Sequence, residues 1–290
     1  MGIEMKPDVT AFFHKPTFTV SYLVKDPESR KCVLIDTALD FDHKSGRTAT
    51  EAADAIADYV RQNDLDVVWI LETHVHADHI TAAPYLKEQL GGQIVIGEQV
   101  TAVQKVFKGV FNAGEGMCTD GTQFDVLLAD DAVLECGGLR IHAIATPGHT
   151  PACMSYHIGD AIFVGDTLFM PDFGTARCDF PGGDAAQLYR SIRKILSFPD
   201  ETRLFMCHDY APGGREYQWL TSVGEQKEKN IHVHDGVSEA QFVEMRTTRD
   251  KELDMPLLIL PSVQVNMRAG HFPEPEDNGV SYLKIPVNAL

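Results

Sequence analysis

No apolar run in these 290 residues approaches the roughly 18 that a membrane-spanning helix requires, which argues against a membrane span. The opening Met-Gly-Ile-Glu-Met-Lys lacks the apolar core of a signal peptide, and Lys6 stands where a myristoylation signal wants Ser or Thr. Positive charge is scarce. Twenty-five Lys and Arg against 42 Asp and Glu leave a net charge of −17, which disfavours nucleic acid and anionic membranes as partners. An anionic small molecule would need a local cationic patch. The six cysteines include no Cys-x-x-Cys pair, which speaks against a disulfide scaffold or a zinc ribbon and suits a reducing cytoplasm. No internal repeat, low-complexity tract or Gly/Ser linker interrupts the chain.

What is present suits a soluble globular protein, with 44% hydrophobic and 23% charged residues. The first part reads as strands at 17–24 and 32–36, followed by a helical period over 48–62 with Ala52, Ala55, Ile56, Tyr59 and Val60 on one face. A strand over 66–72, a helix near 82–90 that stops at Gly91-Gly92, a strand at 93–97 and a helix at 100–111 come next. From about 124 to 164 the pattern is β-rich, with Gly137-Gly138 and Gly159-Asp160 as hairpin signals. Residues 184–197 form a helix with Asp184 as N-cap, and 203–207 a short strand. Beyond 215 the pattern turns polar and helical, and 252–290 hold little clear periodicity. The simplest organisation is one domain over 1–290, with about 230–290 as a peripheral C-terminal extension. Strands mixed with helices give a layered α/β fold. A homodimer is the expected assembly only because two-fold dimers are common.

The chemistry is concentrated at 73–79, Thr-His-Val-His-Ala-Asp-His, directly after the apolar run Val67-Val68-Trp69-Ile70-Leu71. Three imidazoles and a carboxylate at a strand end are hard to explain by packing and suit a metal ion. Further candidates end other predicted strands: His149 in Thr-Pro-Gly-His-Thr, Asp166 in Gly-Asp-Thr, then His208 and Asp209. A turn histidine explains His149 alone nearly as well as a ligand does. Asp166 alone reads as a turn or N-cap residue, and His208 alone as a satisfied core histidine. In this order, each at a strand end, they point together to one site. The other seven of the 12 histidines receive no chemical role, and His232 and His234 read as surface.

His-x-His-x-Asp-His, then Gly-His, Gly-Asp and a late His resembles the signature of the metallo-β-lactamase superfamily, and spans residues 74–208. The resemblance implies an αββα sandwich, two mixed β-sheets flanked by helices. Fold alone does not set the reaction. The stretch Gly174-Thr175-Ala176-Arg177-Cys178-Asp179-Phe180, with Leu71-Glu72-Thr73 and His208-Asp209-Tyr210, is similar to the persulfide dioxygenases, in particular a bacterial branch labelled β-lactamase hydrolase-like. Mitochondrial members carry Thr at the position of Cys178, so the role of that residue stays open.

That resemblance implies one Fe(II) per chain held by His74, His149 and Asp166, with positions left for O2 and a substrate sulfur. The implied reaction is sulfide oxidation chemistry: glutathione persulfide, or another small thiol persulfide, plus O2 gives sulfite and the thiol. His76, Asp78, His79 and His208 would support the ligands or hold a second metal. Arg177 would grip a substrate carboxylate, and Tyr210 would hydrogen-bond either the substrate or His79. The rival is a thioester hydrolase of glyoxalase II type. There His74, His76 and His149 would hold one metal, Asp78, His79 and His208 a second, and Asp166 would bridge them.

Overall fold

A computed structural model describes residues 5–288; the first four residues of the N-terminal stretch considered above lie outside it. In chain order the first half comprises β1 (Asp8–His14), β2 (Thr19–Lys25), β3 (Lys31–Ile35), β4 (Ala38–Asp42), β5 (Arg47–Ala49), α1 (Glu51–Gln62) and β6 (Asp66–Leu71). There follow β7 (Ile80–Thr81), α2 (Ala83–Leu90), β8 (Gln93–Gly97), α3 (Val100–Val110) and β9 (Val126–Leu128). The second half comprises β10 (Val133–Cys136), β11 (Leu139–Ala145), β12 (Met154–Ile158), β13 (Ala161–Phe163), α4 (Ala185–Ile195), β14 (Arg203–Phe205) and β15 (Leu220–Ser222). Helices α5 (Val223–Lys229), α6 (Glu239–Asp250) and α7 (Ile259–Asn266) complete it.

One six-stranded sheet has the order β1-β2-β3-β6-β8-β9, and a second runs β10-β11-β12-β13-β14-β15. Both are mixed: β3, β6, β8 and β9 pair in parallel in the first, β13 and β14 in the second, and the other pairs are antiparallel. Alternating side chains divide the apolar residues between layers. On β3, Cys32 and Leu34 pack toward α1–α3, whereas Val33 and Ile35 pack between the sheets. On the far side Ile162 and Leu204 meet Leu188 and Ile192 of α4 and Phe242 of α6. Burial of both faces explains why these strands read as unbroken apolar runs. The layers are those of the expected αββα sandwich. No helix among the described residues is long and apolar enough to cross a membrane.

The topology brings the chemistry to one edge. β11 and β13 both pair antiparallel with β12, so they run the same way, and β14 runs parallel to β13. Their C-terminal ends therefore share one rim of the second sheet, and His149, Asp166 and His208 follow them. A bridge between Thr19 and His208 joins this rim to the first sheet, where β6 ends just before His74.

The C-terminal expectation needs correction as far as Gly270. Phe242 and Arg246 of α6 are buried, and α7 buries Ile259, Val263 and Met267 against the core on the α1–α3 side. α7 is buried nearly all round, so it has no amphipathic stripe to read. Pro261 sits in its first turn, where a missing N–H costs little. Residues 271–288 are exposed or half-buried.

Candidate metal centre

Each imidazole of the centre has one nitrogen tied down and the other free. The Thr73 hydroxyl donates to Asp36 Oδ2 at 2.9 Å, so it accepts from His74 Nδ1–H at 3.0 Å and leaves Nε2 unprotonated. His76 donates from Nε2 to Asp36 Oδ1 at 3.0 Å, with Glu72 Oε2 at 3.3 Å, and its Nδ1 is left free. His79 donates from Nδ1 to Asp78 at 3.1 Å, and His208 from Nδ1 to the Phe18 carbonyl at 3.3 Å. His149 donates from Nδ1 to the Arg177 carbonyl at 2.7 Å. Such outer hydrogen bonds select the tautomer that points a lone pair inward.

The free atoms converge. His74 Nε2 and His149 Nε2 each lie 3.8 Å from Asp166 Oδ2, while His208 Nε2 lies 3.3 Å from Asp166 Oδ1 and from Asp78 Oδ2. His74 Nε2, His76 Nδ1, His79 Nε2, Asp166 Oδ1 and His208 Nε2 are buried without a hydrogen-bond partner. A buried unsatisfied polar atom costs about 1–3 kcal/mol, and so many in one place call for a cation. Of four groups of close ligand atoms among the described residues, two together hold these free atoms, His74–His149–Asp166 and His76–Asp78–His79–His208. These residues fit a metal ion.

Burial, helped by neighbouring His76, depresses His79 to about 4. Burial likewise holds His74 well below the ordinary imidazole range and lifts Asp166 above the ordinary carboxylate range. For His76 burial works against charge, but Asp36 and Glu72 outweigh it and raise its pKa.

The local backbone is built for this convergence. Gly165 has φ 51°, and a Cβ there would stand 2.6 Å from Thr73 Oγ1, the group that orients His74. Gly148, with φ 140°, lets the turn before His149 lie against the backbone of Leu188 on α4. Asp184 caps that helix through Gln187 N–H, as expected. Asn266 of α7 donates to the carbonyls of His76 and His79 at 2.9 and 2.8 Å and accepts from Thr81 N–H at 3.0 Å.

Sequence reasoning did not find Asp36, Glu72 or Asn266, because each acts through other groups. Asp36 ends an apolar run in the sequence, and in the fold it follows β3 directly with φ 51°. His232, read as surface, is buried and accepts from Thr175 N–H at 3.1 Å. His234 is exposed, as expected.

A cavity of about 1070 Å³ opens onto His149 and Asp166 and is walled by Phe18, Phe169, Phe173 and Phe180. Tyr210 stands at its rim, packed on Phe173, and among the described residues its hydroxyl has no partner; it does not bond His79. Arg177 lines the cavity too, yet its fork closes on Asp179 at 2.6 and 2.7 Å, and Nη1 donates to the Asp254 carbonyl at 2.6 Å. Arg249 of α6 also lines the cavity, is exposed, and has no carboxylate partner among the described residues. Cys178 is buried and its thiol is pushed up by burial, which makes it an inert core residue rather than a reactive one.

This fold and this ligand set define a metal-dependent enzyme class, and the comparisons give its family. Residues 14–208 match the profile of the Metallo-beta-lactamase superfamily, and the chain belongs to that superfamily. It is 58% identical to a probable metallo-hydrolase of Burkholderia pseudomallei over 97% of this chain and 99% of that protein. It is 46% identical to Glyoxylase B2 of Dictyostelium discoideum over 98% of each chain. The mitochondrial persulfide dioxygenase ETHE1 of Mus musculus is 28% identical over 89% of this chain and 87% of that one. Among solved structures, ETHE1 from Myxococcus xanthus superposes with a TM-score of 0.72 at 31% identity, covering 91% of this chain and all of the other.

Proposed function

We propose that this chain is a persulfide dioxygenase that oxidises glutathione persulfide, or another small thiol persulfide, at a single non-haem Fe(II). The observation that carries the reading is the His74–His149–Asp166 set, two imidazoles and one carboxylate, of which His149 and Asp166 face an aromatic-walled cavity. Likeness to proteins named ETHE1, one of them a persulfide dioxygenase, supports it. A ferrous ion held there would supply the electron transfer that makes O2 reactive. The overall reaction takes persulfide, O2 and water to thiol, sulfite and two protons. The outer sulfur loses four electrons and O2 gains them.

The chain's own groups would orient and exclude. Thr73 and Asp36 hold His74, and the Arg177 carbonyl holds His149. Phe169, Phe173 and Phe180 keep water from the reacting sulfur. Tyr210 offers its hydroxyl to the substrate. Arg249 offers an unpaired cation to a substrate carboxylate, while Arg177 builds the wall behind it.

A second reading, a binuclear thioester hydrolase, is favoured by Asp166, which turns Oδ2 toward His74 and His149 and Oδ1 toward His208. Glyoxylase B2 among the relatives agrees with it by name. Anaerobic purification, iron and zinc counting, and an O2 electrode separate the two. One iron per chain with stoichiometric O2 uptake on glutathione persulfide is expected. Two metals, thioester cleavage and no O2 uptake would replace the proposal with the hydrolase.

A further inference from the structure

The roles above leave unused a buried ion pair on α6. Arg246 and Asp250 lie one turn apart with side chains 1% and 5% exposed. Arg246 donates from Nε to Asp250 Oδ1 at 2.8 Å, and its Nη2 lies 2.7 Å from the same oxygen. A buried pair is poor evidence for stability by itself, because desolvation offsets much of the attraction. Its remaining contacts are therefore the informative ones.

Arg246 Nη1 donates to the Thr175 carbonyl at 3.0 Å. The other oxygen of Asp250 accepts from Cys178 N–H at 2.9 Å. The pair thus grips both ends of the four-residue segment 175–178 through its main chain. His232 adds a third fixed point by accepting from Thr175 N–H at 3.1 Å. Inside that segment lies the Arg177 carbonyl, which takes the proton on His149 Nδ1. The contacts form a single line from α6 through the 175–178 backbone and the Arg177 carbonyl to the His149 ring.

We infer that Arg246 and Asp250 are positioning residues for the metal centre, fixing the Arg177 carbonyl and through it the aim of His149 Nε2. This holds whether the loaded centre handles O2 or water. It gives α6, which supplies no ligand, control over one. It also accounts for charges kept in a place where apolar side chains would satisfy packing.

The test uses the full-length metal-free chain titrated with Co(II), followed by visible absorption so that each class of site is resolved. The double variant R246Q/D250N removes both charges together and leaves no unpaired ion. R246K keeps the charge against Asp250 and gives up the contact to the Thr175 carbonyl. F242L, on the same helix, loses core packing and keeps the hydrogen bonds that Arg246 and Asp250 make to 175–178. In R246Q/D250N at least one class of site should bind Co(II) about tenfold more weakly, with altered absorption bands, as for other lost outer-sphere partners. R246K should fall in the same direction, and covers the case in which the double variant does not fold. F242L should lower the melting temperature while keeping wild-type cobalt affinity and spectrum. Wild-type affinity and spectrum in a folded R246Q/D250N or R246K would overturn the inference. Equal weakening in F242L would also overturn it, since the effect would then be general loosening.

Discussion

His149 is held by the main chain of Arg177, not by its side chain: Nδ1–H meets the Arg177 carbonyl at 2.7 Å, while the guanidinium turns away to Asp179. One residue thus contributes to two structures at once. Its backbone orients the His149 ring, and its side chain braces the cavity wall against the 253–254 carbonyls. This division separates the effects of two arginine substitutions.

Arg177→Ala should lower stability by about 2 kcal/mol, the order expected for lost hydrogen bonds from a charged group, as measured by urea denaturation. Arg249→Ala should leave stability and metal content near wild type and raise KM for glutathione persulfide several-fold, with little change in kcat. If KM were unchanged in Arg249→Ala, the carboxylate would have to be bound elsewhere.

Asn266→Ala removes the side chain that ties the His76 and His79 carbonyls to Thr81. A loss of about 2–3 kcal/mol is expected, together with faster loss of metal to a chelator. Asn266→Asp keeps the acceptor for Thr81 N–H and loses both donors, so it should be at least as damaging to metal retention. Equal chelation rates in all three proteins would show that α7 does not brace the ligand loop.

Asp36→Asn replaces the carboxylate that orients His74 through Thr73 and His76 directly. Metal affinity should fall about tenfold or more, because the imidazole tautomers are no longer imposed from one side. Metal content after dialysis against a graded chelator series reads this directly, and full retention would remove Asp36 from the centre.

His232 has its pKa lowered from 6.5 to about 4 by burial, aided by Arg246 and Arg249. The folded state therefore binds this proton less readily than the unfolded state does. Its stabilising effect is complete above about pH 6.5 and is lost as pH falls through the window down to about 4, amounting to up to about 3 kcal/mol. His79, also lowered to about 4, adds a slope of the same sign in the metal-free chain. Urea denaturation of the metal-free chain between pH 7 and pH 4, compared with His232→Gln, isolates the His232 share. An unchanged slope in that variant would mean that His232 does not titrate in this window.

Much of this protein is legible from the chain alone, and particular residues show why. The strand at 93–97, the helix capped by Asp184 and the hairpin at Gly137-Gly138 rest on local rules, namely apolar period, capping and turn chemistry. The seven His and Asp residues of the centre were visible because clustered His and Asp at strand ends have few packing explanations. β1 and α7 were missed for opposite reasons. Asp8–His14 mixes polar and aromatic residues on a half-buried edge strand, and α7 buries Ser262, Gln264 and Asn266 along with its apolar residues, so neither shows a clean period.

The sequence by itself determined the superfamily, the layered α/β architecture and a metal-binding ligand set, because these depend on residue type and order along the chain. Only the tertiary structure decided how those residues are held. Asp36, Glu72 and Asn266 hold His76 from 4 to 190 positions away, and Arg246 and Asp250 hold the Thr175 to Cys178 backbone from 71 and 72 positions away. It also decided that Arg177 faces Asp179, whereas Arg249, like Arg47, lines the cavity without a carboxylate partner among the described residues. The physical reason is that hydrogen-bond partnership is a property of distance and direction in space. No local pattern encodes which carbonyl a histidine will find once the sheets have packed.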